Sequence, residues 1–128
     1  MTQAITLQSN TLSLWQASQS IKPFAQEIFL LKTYVAGTYF ANADEFLPEN
    51  ESLPLAVKLK REPKNQYDEL AILVLTEQGE KLGYIPRKNN EVIARLMDAG
   101  KAFSAQITGK QFEMNWLKLE IEIFLVEQ

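Results

Sequence analysis

Apolar residues along the chain change period several times, and those changes outline its elements. Leu55, Val57 and Leu59 alternate with Ala56, Lys58 and Lys60, the period of a half-buried strand. Ala71–Leu75 is a continuous apolar run, Glu77–Glu80 with Gly79 is a turn, and Leu82–Ile85 reads as the return strand. A helical pattern follows. Asn89 or Asn90 serves as its cap, Glu91 sits in its first turn, Val92, Ile93, Leu96 and Met97 share a face, and Gly100 stops it. Ala102–Thr108 and Trp116–Leu125 then return to strand character, with Leu117, Leu119, Ile121, Ile123 and Leu125 alternating against Lys118, Glu120 and Glu122.

The first third of the chain is less regular. Residues 1–20 form a polar segment with the composition of a partly disordered stretch, and a single domain over 21–128 follows. Pro23 predicts a short N-terminal helix through Phe24, Ile28 and Phe29, because proline suits a first turn. Leu30–Phe40 is rich in β-branched and aromatic residues and predicts a strand, with Gly37 marking a bulge or bend. Asn42–Ser52 is an acidic loop around Pro48. The fold class is therefore mainly β: about six strands with a helix (about 89–99) between the fourth and fifth. That order suggests a small, partly open barrel of the OB or SH3-like kind, with a β-sandwich as the alternative.

Composition narrows the chemistry. At 128 residues and 46% hydrophobic, the chain suffices for one domain with its own core. It has neither cysteine nor histidine, which removes the usual zinc and iron ligands, thiol nucleophiles and histidine triads. A carboxylate-only magnesium or calcium site has no supporting motif, so neither metal nor cofactor is expected, and catalysis is not expected either. No apolar run approaches the roughly 20 residues of a spanning helix, and no signal peptide is recognised, so a cytoplasmic location without membrane contact is the expectation. Net charge is −3, but its distribution is uneven. Residues 58–110 carry ten bases against seven acids, while both flanks are acidic.

The central basic region contains the candidate site. Arg61-Glu62-Pro63-Lys64-Asn65-Gln66-Tyr67-Asp68 places bases, an aromatic and an acid on one loop between two strands. Arg87 and Lys88 follow on a second loop, just before a helix whose N-terminal amides favour anions. Tyr67 offers a stacking face, Arg61, Lys64, Arg87 and Lys88 offer positive charge for phosphates, and Pro63 and Asn65 read as turn formers. Each residue also has a plainer reading: Asp68 as a turn or helix cap, the tyrosines as core edges, the bases as a solvated face. Trp15 and Trp116 read as packing residues.

Arg61-x-Pro63-x-Asn65-x-Tyr67-Asp68-x-x-Ala71-Ile72-x-Val74, Leu82-Gly83-Tyr84-Ile85-Pro86-Arg87 and the upstream Tyr34-Val35-Ala36-Gly37-Thr38-Tyr39 together resemble the HIRAN domain family, over about Glu27–Val126. The chain is similar in length, and in Asn115-Trp116-Leu117-Lys118, to small stand-alone bacterial members; other members are attached to DNA translocases with roles in replication-fork remodelling and DNA repair. The resemblance implies an OB-like barrel that binds single-stranded DNA and captures a free 3′ end. It implies that Tyr39 and Tyr67 contact terminal bases, Asp68 the 3′ hydroxyl and Arg87 phosphates, with Phe112 as a further aromatic contact. Where the translocase members carry arginine before the first tyrosine, this chain has Thr38. A helicase, translocase or nuclease acting in trans is the implied protein partner. The alternative is a protein-interaction module within a DNA-processing complex, with no DNA binding of its own.

Overall fold

The protein is described by a computed structural model covering residues 26–47, 52–114 and 116–127. Among the described residues there are six strands: β1 (Gln26–Tyr34), β2 (Leu55–Arg61), β3 (Ile72–Leu75), β4 (Lys81–Tyr84), β5 (Ala102–Glu113) and β6 (Trp116–Glu127). Two helices accompany them, the one-turn α1 (Thr38–Ala41) and α2 (Arg87–Asp98), with a 3₁₀ turn at Ala43–Glu45. All pairings are antiparallel, in the order β1-β6-β5-β2-β3-β4. Among the described residues no helix is long and apolar enough to cross a membrane.

The sheet curls because its two ends meet. Just beyond β1, Ala36 bridges Tyr84 of β4: the Ala36 N–H donates to the Tyr84 carbonyl at 2.7 Å, and the Tyr84 N–H donates back to Ala36 at 2.9 Å. This approach requires the residue beside it to lack a side chain. A Cβ on Gly83 would stand 2.3 Å from the Ala36 carbonyl oxygen and 2.7 Å from Val35 Cγ1. The result is a partly open barrel.

Its interior is filled by the alternating residues expected from β6 (Leu117, Leu119, Ile121, Ile123), together with Ile72, Val74, Leu82 and Ile107. Ile93 and Ala94 of α2 pack against them. The helical stripe differs from expectation in one residue: Val92 is exposed, and the buried face runs instead through Asn90, Ile93 and Ala94, with Met97 partly covered. The helix also begins earlier than expected, at Arg87, with Pro86 in the N-cap position and no side-chain cap. Both asparagines point elsewhere. Asn89 accepts a hydrogen bond from Thr33, and Asn90 donates to Asp68. Gly100 ends the helix as expected, at φ 96°, with the Gly100 and Lys101 amides donating to Met97 and Leu96, a Schellman closure.

The N-terminal expectations need correction. The short helix predicted from Pro23 does not extend over Ile28 and Phe29, since Gln26–Tyr34 is a strand paired antiparallel with Glu127–Glu120 across a bulge at Leu30; residues 21–25 lie outside the described part. Local helix-start chemistry is overridden by the hydrogen-bond ladder to β6. The strand then stops at Tyr34, short of the predicted Phe40. Gly37 (φ 75°) and Asn42 (φ 53°) are both left-handed and bracket a single helical turn, and the buried Thr38 hydroxyl donates to the Leu117 carbonyl at 2.6 Å, tying that turn to β6.

Gly83→Ala should lower stability by at least about 2 kcal/mol, since the new methyl meets backbone and not a yielding side chain. Gly79→Ala is the control: Gly79 is also left-handed (φ 93°) but nothing lies within 4 Å of its would-be Cβ, so only conformational strain of about 1 kcal/mol applies. Urea denaturation of both variants checks the difference.

Candidate nucleic-acid interface

Barrel closure brings three separate segments around one cleft of about 570 Å³. Ala36, Gly37 and Phe40 come from the β1–α1 segment, Asn65–Asp68 and Ala71 from the β2–β3 loop, and Lys81 and Tyr84–Arg87 from β4 and the start of α2. Three of the predicted residues, Tyr67, Asp68 and Arg87, line it side by side.

The β2–β3 loop is held by its own polar side chains. Asn65 Oδ1 accepts the Tyr67 and Asp68 amides at 2.8 and 3.1 Å, while its Nδ2 donates to Glu62 at 3.0 Å. Tyr84 also donates its hydroxyl to Glu62, at 2.7 Å. Asp68 continues the chain of contacts: Oδ1 accepts the Leu70 amide at 2.9 Å, and Oδ2 accepts Asn90 Nδ2 at 2.9 Å, with Arg87 Nε at 3.6 Å. Arg87 Nη2 also donates to the Tyr67 carbonyl. The expected turn-capping role of Asp68 is therefore present. It leaves acceptor capacity, because a carboxylate offers about four lone-pair sites.

These contacts keep the acids ionised. Leu70's amide first, then Asn90, with Arg87 and Arg61 adding, hold the Asp68 carboxyl below its usual value against the opposing effect of burial. Glu62 is lowered chiefly by the Tyr84 and Asn65 hydrogen bonds. Tyr67, by contrast, is 78% exposed, so its ring is presented to solvent on a loop that cannot easily collapse.

The other expected contacts are distributed differently. Arg61 is only 11% exposed at its side chain and holds the loop from below: it donates to the Ala71 and Glu69 carbonyls at 2.6 and 2.9 Å and pairs with Asp98 at 2.9 Å. The phosphate contact expected of it gives way to a structural role, because its donors are already engaged. Tyr39 is exposed on α1, edge-on to Phe40 with ring centroids 5.5 Å apart, and it is Phe40, 88% exposed, that borders the cleft. Lys64 and Lys88 are exposed outside the cleft lining. Phe112 is exposed and lies opposite Leu117 in the β5–β6 ladder, on the hairpin to which α1 is tied, and it does not line the cleft. Trp116, expected to be a packing residue, is 44% exposed.

Phe40, Lys81, Tyr84 and Asn90 belong to the site without a site signal of their own in the sequence. Tyr84 lies within the recognised Leu82–Arg87 motif, which was the available signal. Phe40 was hidden within an expected strand, and Lys81 and Asn90 join the site only through the folded topology.

Arg61→Met should cost about 1–2 kcal/mol in urea denaturation through the lost carbonyl contacts, with faster amide exchange over residues 62–70. Asp68 has a folded pKa below its unfolded one, so its contribution is complete above the ordinary aspartate range and disappears as pH falls through the folded value. The stability margin of wild type over Asp68→Asn should accordingly shrink as pH falls through and below the ordinary aspartate range in parallel denaturant titrations.

Comparison with known proteins agrees with this architecture. A crystal structure of a protein from Lactobacillus plantarum matches with a TM-score of 0.69 and 31% identity, covering 81% of this chain and 99% of that one. The crystal structure of the HIRAN domain of human HLTF matches with a TM-score of 0.59 and 19% identity over 80% of each chain, a likeness of fold. No curated protein matches the sequence. The family model of the HIRAN domain matches residues 28–127, nearly everything the structure describes. The chain belongs to the HIRAN domain family.

Proposed function

We propose that the cleft receives the 3′ end of a single DNA strand, with no catalysis by the chain itself. Membership in a family of nucleic-acid-binding modules supports the general class. The observation that carries the finer reading is Asp68, an ionised carboxylate in the wall of a cleft whose lining also holds Phe40, Tyr67 and Tyr84 and two cations.

A carboxylate repels phosphate, so it is out of place along a continuous backbone. A terminal hydroxyl is different: it donates a hydrogen bond that Asp68 is poised to accept, and a charge-assisted bond of this kind contributes roughly 1.5–3 kcal/mol. The Leu70 and Asn90 contacts fix the carboxylate's orientation before any ligand arrives. Tyr67 and Phe40, both well exposed at the rim, supply stacking faces that accept any base, at about 1–3 kcal/mol each. Recognition by stacking, charge and a terminal hydroxyl reads the strand's end and ignores its sequence. In this reading a helicase, translocase or nuclease works in trans on the end that the domain holds, as in fork remodelling or repair.

Fluorescence anisotropy with short oligonucleotides tests the proposal. A free 3′ hydroxyl should bind at least about tenfold more tightly than a 3′ phosphate. Asp68→Asn, which retains the Leu70 contact, should largely abolish that preference. Equal affinity of wild type for free and blocked ends would falsify 3′-end capture.

A further inference from the structure

The two cations of the cleft are not equivalent. Arg87 lies 3.6 Å from Asp68 Oδ2 and donates to the Tyr67 carbonyl, so its charge is offset and part of its fork is committed to the loop. Lys81, the first residue of β4, lines the same cleft and makes no ion pair or side-chain hydrogen bond among the described residues. Its Nζ sits 4.6 Å from the centroid of the Tyr84 ring. That ring is itself fixed, because its hydroxyl donates to Glu62. Lys81 is thus a cation held over a rigid platform with its three donors unclaimed.

The α1 segment supplies no competing charge. Thr38 is 2% exposed and hydrogen-bonded to Leu117, so its side chain faces the protein interior, and Tyr39, Phe40 and Ala41 carry no charge.

We propose that Lys81 is the phosphate-binding residue of the cleft, taking the phosphodiester that joins the last two nucleotides of a strand seated there. The inference rests on the 3′-end reading above. Asp68 and Arg87 cancel at a distance, and Glu62, within electrostatic reach of Lys81, has its Oε1 taken by Tyr84 and Asn65, so Lys81 is the cation of the cleft whose donors meet an approaching phosphate. A cation over the half-buried Tyr84 ring is held more weakly than by a charge-assisted hydrogen bond to phosphate, so the ammonium exchanges one for the other without disturbing the fold. Arg87 becomes a positioning residue, keeping Tyr67 and Asp68 in place.

The test is a salt titration of anisotropy with a short oligothymidylate bearing a free 3′ hydroxyl, using the full chain and its Lys81→Gln and Lys81→Arg variants. Lys81→Gln should bind about tenfold more weakly at low salt, and its log affinity against log salt should be shallower by about 0.7, one phosphate's share on a single strand. Its preference for a free over a phosphorylated 3′ end should remain, and Lys81→Arg should restore the slope. A wild-type slope in Lys81→Gln overturns the assignment whether or not the ends are distinguished. Wild-type binding with no end preference, but a reduced slope in Lys81→Gln, removes the 3′-end reading and leaves the phosphate assignment standing. No binding by wild type overturns both.

Discussion

The paired hydrogen bonds between Ala36 and Tyr84 are the contact on which the rest of the molecule depends. They join the segment after β1 to the strand at the opposite end of the sheet order, so six strands curl into a barrel. They also set the cleft, since Ala36 and Gly37 form one side of it and Tyr84–Arg87 another. Without this closure Phe40 and Lys81 would lie at opposite ends of an open sheet. Gly83 permits it by having no Cβ where the Ala36 carbonyl must pass.

Around the closure, polar groups serve stability and recognition together. Glu62 receives both Asn65 and Tyr84, and Asp68 receives both Leu70 and Asn90, so each acid joins the β2–β3 loop to another part of the barrel. Networks of this kind are costly when half-satisfied and rigid when complete. Arg61 extends the network beneath the loop to Asp98 at the end of α2. A loop so braced presents Tyr67 to solvent at little further cost in conformational freedom, which is what a stacking surface needs.

Much of this was legible in the residues themselves. The alternation in β6, the β2 pattern, the Gly79 turn and the Gly100 stop all reflect local periodicity or backbone freedom, and each is present in the fold. The Tyr67–Asp68 pair was recognisable because its motif is local. Expectations failed where a distant partner overruled a local signal. Ile28 and Phe29 follow β6 and not Pro23, and the strand through Tyr34 yields to a turn locked by Thr38 and Leu117. Arg61 resembled a phosphate ligand because the carbonyls and carboxylate that occupy it belong to Glu69, Ala71 and Asp98, up to 37 positions away.

The strand periodicity, the second helix, the family and the loop that carries Tyr67 and Asp68 can all be read from the residues alone. These follow from side-chain alternation, capping chemistry and ordered motifs, which act over a few residues. Which charges are available depends instead on the folded arrangement. Arg61 and Arg87 are engaged by groups brought close through folding, whereas Lys81 is left over an aromatic ring within the cleft. A cation's availability depends on what lies within a few ångströms of it, and closure of the barrel sets those neighbours.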